Sequence, residues 1–293
     1  MLNQPFTELQ QWIDYLSAQP LPILAHTHEA MRDYRSRIDD IGLHEIGQLI
    51  RHDPLLTLNV LRYLETNRKS SQLTDVTTIE RVLLMIGVSG FFRLFGALPN
   101  LEEQGQKVMI DGAHRTCSRA FLAGRIAEML SEYRRDIDPN EVMTAALLHD
   151  TAEILLWLSI PLQMLDMQLK LQSDPTLRSK DVQRQLLGCK INQIQQGLVI
   201  KWALPRTLLH LMDDGFAEEP RVYIVNLAVG MARHLESGWD SPYFLDDLKN
   251  CAAMFNREFD EMYARIRHVA LDAARHWYWY GVEPAAARLI NAD

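Results

Sequence analysis

The sequence predicts an all-α fold, a multi-helix bundle in two lobes followed by a C-terminal helical extension. Three observations carry this. Apolar residues recur at three- and four-residue spacing in nearly every segment, helix-start signals stand just ahead of those runs, and no segment reads as a hairpin or a βαβ unit.

Leu43, Ile46, Gly47, Leu49 and Ile50 share one helical face that stops at Asp53-Pro54, an N-cap followed by a proline suited to the first helical position. The next helix carries Leu55, Leu58, Leu61 and Leu64. Thr77-Thr78-Ile79-Glu80 is a capping box opening Val82 to Ile86, and Ser89, after Gly87, caps a further helix through Phe91 and Phe95. The polar interval from Asn100 to Lys107, with Asp111-Gly112 after it, connects the lobes, the first spanning about 14–100 and the second starting at about 112. Ala120, Ala123, Ile126, Ala127 and Leu130 then mark a helix led by His114, and Asp138-Pro139-Asn140-Glu141 launches the helix that contains Ala145 to Leu156. Pro161 restarts the chain and Ser173-Asp174-Pro175 punctuates it, ahead of helices from about Val182, Asn192 and Pro205. In the tail, Phe259, Tyr263, Ile266, Ala270, Ala273, Trp277 and Tyr280 align on one face of a long amphipathic helix. Residues 217–293 are expected to form helices that pack on the second lobe.

Composition narrows the function classes. With 293 residues and 47% apolar content, the chain can bury one large core or two modest ones. The longest charge-free stretch, Ile154 to Leu165, contains Pro161 and falls well short of the ~20 residues a spanning helix needs, so no membrane span is expected. Met1-Leu2-Asn3-Gln4-Pro5 has neither a basic leader nor an apolar signal core, which makes the cytoplasm the expected location. Cys117, Cys189 and Cys251 follow no zinc-ribbon spacing and read as buried thiols in a reducing compartment. The net charge of −8 argues against nucleic acid as a partner, and Arg68-Lys69 and Arg134-Arg135 read as solvated surface.

The chemistry-bearing feature is the pair His149-Asp150 inside the apolar run from Ala145 to Leu156. A carboxylate in such a setting must bind a cation, bond protein groups or meet water. No Gly-x-Ser-x-Gly elbow and no phosphate-cradling glycine loop accompanies it. His26, His28, His44 and His52 read as helix-surface or cap residues. The run His276-Trp277-Tyr278-Trp279-Tyr280 cannot all face one side of a helix. Trp277 and Tyr280 are expected to dock on the body, leaving Tyr278 or Trp279 partly exposed as a partner contact, although packing alone explains most of the run.

Several phrases in order resemble one family. Leu21-Pro22-Ile23-Leu24, Ile50-Arg51-His52-Asp53-Pro54-Leu55-Leu56-Thr57, Ile79 to Gly87, Ala145 to Leu156, and Gly197 to Pro205 with its Trp202-Ala203-Leu204-Pro205 element resemble successive blocks of the HDOD domain, from about Leu21 to about Asp214. HDOD domains are HD-related output domains of bacterial signalling. The resemblance implies an HD-like second lobe, a domain over about 14–216, and a protein partner in a signalling pathway, and it is compatible with a homodimer. The related HD phosphohydrolases hold a divalent metal through a His, the His-Asp pair and a later Asp, and the bound water attacks a phosphate ester. By that likeness His114, His149 and Asp150 are the metal candidates. The surrounding pattern departs: Glu153 stands where active relatives carry a basic residue, Gln193 where a His is expected, Asp213 and Asp214 near the paired histidines, and Val229 at the closing Asp. The resemblance therefore implies a degenerate, vestigial metal site, no catalytic residues, no cofactor and a regulatory module acting through protein or small-effector binding. The alternative is a phosphohydrolase or phosphodiesterase of nucleotides or cyclic dinucleotides using manganese, iron or magnesium at His114, His149 and Asp150. In the non-catalytic case Asp150 is expected to accept from His114 or to pair with Arg115 or Arg119, as a satisfied polar knot.

Overall fold

The computed structural model describes residues 2, 4–67, 78–103, 105–174 and 176–289; Arg68, Lys69, Thr77 and Pro175 lie outside them. The helices are α1 (Leu9–Ala18), α2 (Ala25–Ser36), α3 (Leu43–His52), α4 (Pro54–Thr66), α5 (Ile79–Phe95), α6 (Lys107–Ser131), α7 (Pro139–Leu148) and α8 (Thr151–Ser159). They continue with α9 (Pro161–Ser173), α10 (Ser179–Leu187), α11 (Ile191–Lys201), α12 (Arg206–Leu211), α13 (Pro220–Leu235), α14 (Pro242–Phe255) and α15 (Phe259–Ala274). Among the described residues there is no strand, only an isolated parallel bridge between Ile23 and Asn100.

The capping chemistry sets the first lobe. Asp53 ends α3 and opens α4, its Oδ1 accepting from the backbone N–H of Leu55 and Leu56 at 2.9 and 3.1 Å. Its Oδ2 accepts from the N–H of Leu24 at 2.9 Å, so one fully buried carboxylate also fixes the start of α2. Burial pushes this carboxyl up, against the backbone bonds that hold it down. In α5 the break is real: Gly87 adopts φ 68° and ψ 171°, which a residue with a Cβ rarely tolerates, and it separates two half-helices.

α6 is the axis of the rest, packing against α7, α8, α13 and α15. Asp111-Gly112, read from sequence as part of the connection, lies inside α6. A Cβ on Gly112 would stand 2.2 Å from the Trp157 ring, so glycine here serves the close approach of α8, not a turn. The expected edges near residues 14 and 112 fall inside α1 and α6, and α1 packs on α11, with the buried Trp12 indole donating to the Leu187 carbonyl at 3.0 Å. The polar interval is not a free linker either. Leu101 is fully buried and Glu102 accepts from the Ala25 N–H at 2.8 Å.

The tail differs from the amphipathic pattern. α15 stops at Ala274, and Trp277–Trp279 form a 3-10 turn that reorients the aromatic run, so the face drawn from Phe259 to Tyr280 does not continue past the helix end.

Candidate functional site

The pair at the centre of the apolar run is not inside one helix. α7 ends at Leu148, α8 begins at Thr151, and Asp150, at φ −98° and ψ 17°, makes the break. Gln195 of α11 pins that corner: its Nε2 donates to the Leu148 carbonyl at 2.9 Å while its Oε1 accepts from the Ala152 N–H at 2.7 Å. The side chain is buried, so these bonds satisfy backbone groups that water does not reach.

The corner aims Asp150 at α6, where Arg119 meets it. Arg119 Nε and Nη2 donate to Asp150 Oδ2 at 3.0 and 2.8 Å. Nη2 also donates to Glu153 at 2.7 Å and Nη1 to Glu236 at 3.1 Å. The other oxygen of Asp150 accepts from Arg233 of α13 at 2.9 Å and faces His149 Nδ1 at 3.2 Å. His149 Nε2 has no hydrogen-bond partner among the described residues and stands 3.9 Å from Asp214, which Asn192 holds. Arg119 and Asp150 are both buried.

Three ionisable groups carry the imprint of this arrangement. Burial raises the Asp150 carboxyl, but Arg233, Arg119 and His149 outweigh it and hold the group well below the usual range. Burial likewise opposes the charge on Arg119, yet Glu153, Glu236 and Asp150 push its value well above that of a free guanidinium. For His149, burial pulls downward and the carboxylates of Asp150 and Asp214 more than restore it, giving a raised value.

Of the metal candidates, His149 and Asp150 meet each other, and His114 bonds elsewhere. His114 turns to Glu102, its Nε2 2.7 Å from Glu102 Oε1, and does not reach Asp150 as expected in one reading. Arg115, the other arginine considered, donates to Gln168 at 3.2 Å and leaves Asp150 to Arg119. Gln193 accepts from the Lys190 N–H at the start of α11, Asp213 from the Gly215 N–H, and Val229 is buried on α13. Among the described residues no three His, Cys, Asp or Glu side chains gather as a metal would require. The donor chemistry agrees, because both Asp150 oxygens already accept from guanidiniums. A divalent ion would have to displace a buried cation from a carboxylate cluster.

Sequence reasoning found Arg119 and Glu153 but missed Arg233, Glu236, Gln195 and Glu102. Arg233 and Glu236 sit at the end of α13, where charged residues ordinarily face solvent, and nothing local marks them as site residues.

The aromatic run forms a second cluster. Tyr280, expected to dock, is buried, and Tyr278, one of the two rings expected to be partly exposed, is 49% exposed; Trp279, the other, is buried at 9% exposure, whereas Trp277, expected to dock, is 54% exposed. The 3-10 turn rotates the run by about one position, which exchanges the two tryptophans. The Trp279 ring stacks on His52, which stacks in turn on Phe121, both at 4.6 Å between centroids. His26 and His276 border the stack, and the Tyr280 hydroxyl donates to the His52 carbonyl at 2.8 Å. The C-terminal extension thus contacts the first lobe as well as α6.

Comparison with known proteins agrees with this architecture. The HDOD domain family profile matches residues 21–214. The fold is similar to that of the MmoQ response regulator from Methylococcus capsulatus str. Bath, with TM-score 0.64 and 17% identity over 85% of this chain and 98% of that one. It is also similar to a virulence factor from Campylobacter jejuni subsp. jejuni, with TM-score 0.62 and 18% identity over 86% of this chain and 94% of that one. No curated protein matches the sequence. With the matched profile covering most of the chain, the protein belongs to the HDOD domain family, the HD-related helical modules of signal transduction.

Proposed function

We propose that this protein is a non-catalytic regulatory module, acting by binding a protein partner or a small effector, in which the HD pair has become a structural ion cluster. The observation that carries this reading is the Arg119 guanidinium seated on Asp150 Oδ2, where an HD hydrolase would need that carboxylate free for a metal. Two guanidiniums and a buried imidazole already compensate the carboxylates, so a further dication gains little attraction there.

The test is metal content and turnover on the full chain. The protein is incubated with manganese, iron or magnesium, then assayed against nucleotides and cyclic dinucleotides. The expected result is no stoichiometric metal and no metal-dependent hydrolysis. Hydrolysis abolished by His149→Ala in a variant that keeps its helical spectrum would establish the phosphohydrolase instead.

A further inference from the structure

The end of α2 and the second half of α5 enclose a groove of about 410 Å³. From α2 and the turn after it come Arg35 and Ile38, from α5 come Ser89, Phe92 and Arg93, and from just past its end Gly96 and Ala97. Residues 89, 92, 93 and 96 lie three and four apart, so they share one helical face. The break at Gly87 lets that half-helix take its own direction.

The lining has two chemical halves. Arg35 and Arg93 are exposed guanidiniums with no ion pair among the described residues, whereas nearby Arg37 is closed on Asp33 at 2.8 Å. Ser89 adds a hydroxyl, and Gly96 adds no side-chain bulk. Phe92, buried at 5% exposure, and the half-buried Ile38 supply an apolar floor. The adjacent carboxylates Asp39 and Asp40 are exposed on the turn and do not line the groove.

We propose that this groove binds a small molecule carrying a phosphate group and a flat apolar part. Guanidinium forks match phosphate oxygens in pairs, and a serine hydroxyl supplies a third donor for a tetrahedral anion. The volume falls in the range of small-molecule sites, larger than a bare phosphate fills, and the Phe92 floor suits a planar ring. The groove is remote in sequence from the Arg119 cluster, and its occupancy does not depend on whether that cluster is catalytic.

The experiment is isothermal titration of the metal-free full chain with 5′-AMP, 5′-GMP, inorganic phosphate and adenosine. At least one nucleotide is expected to saturate at one site per chain, more tightly than phosphate or adenosine. Arg35→Ala and Arg93→Ala, both surface changes, each weaken it about tenfold or more. Ala97→Trp, which fills the groove and leaves both guanidiniums in place, abolishes it. Absence of saturable nucleotide binding at millimolar concentration overturns the proposal. So does binding that survives in the R35A/R93A double variant or in A97W.

Discussion

Arg119 donates two hydrogen bonds to a single carboxylate oxygen of Asp150, from Nε at 3.0 Å and from Nη2 at 2.8 Å. That relationship draws the carboxylate of the His-Asp signature into a buried ion cluster. The same guanidinium reaches Glu153 and Glu236, so its removal takes a partner from three carboxylates at once.

Arg119→Ala is therefore expected to destabilise the fold by about 3–5 kcal/mol, the range for breaking a buried ion pair from one side. Urea midpoints of wild type and variant measure it. Asp150→Asn, which keeps shape and one acceptor oxygen, should cost less than Arg119→Ala. A loss below about 1 kcal/mol for Arg119→Ala would show that water already satisfies the cluster.

His149 gives the cluster a pH signature. Burial lowers its affinity for a proton, but the bond to Asp150 and the nearby Asp214 prevail, and the value lies above the ordinary 6.5. A raised value in the folded state contributes stability that is fully present below pH 6.5 and is lost as pH rises through the folded value. Imidazole resonances should show His149 titrating above 6.5, and His149→Gln should remove that slope from the stability profile. Titration at or below 6.5 counts against the arrangement.

Much of the fold was readable because caps are local. Asp53-Pro54 and Asp138-Pro139 announce α4 and α7 within a few residues, and the structure bonds both aspartates to the first-turn N–H groups. The His149-Asp150 break was hidden because its cause, Gln195, is distant in the chain and the flanking apolar residues suit an unbroken helix. The exchange of Trp277 and Trp279 was hidden for a similar reason. A 3.6-residue period was carried past Ala274, where the backbone tightens to three residues per turn. Arg233 and Glu236 became site residues only through the packing of α13 on α6.

His52 has the opposite pH dependence. Burial between aromatic rings lowers it to about 4, against the upward pull of its bond to the Gln48 carbonyl, and His276, Arg125 and His26 add repulsion. The values of His26 and His276 are also lowered by burial, while Glu29 and Asp272 respectively pull them back up. A lowered histidine leaves stability intact above pH 6.5 and removes it as pH falls toward the folded value. For His52 alone the loss between pH 6.5 and 4 amounts to about 3 kcal/mol. Urea midpoints at pH 7 and pH 5 should therefore diverge, and His52→Phe, which keeps the stack without the proton site, should narrow the gap. An unchanged gap would place the acid sensitivity elsewhere.

The two tryptophans of the tail separate packing from surface. Trp279→Ala removes a ring held between His52 and His26, and by the cost of truncating a buried aromatic it should destabilise the fold by about 3–5 kcal/mol. Trp277→Ala changes an exposed ring and should stay within about 0.5 kcal/mol of wild type. The first variant also opens one face of His52 to water, so the His52 imidazole should titrate closer to 6.5, while the second leaves it near 4. Within this run Trp277 and Tyr278 are the exposed rings. Loss of partner binding in Trp277→Ala at unchanged stability would assign a partner contact there, whereas loss only in Trp279→Ala would reflect the unfolded tail.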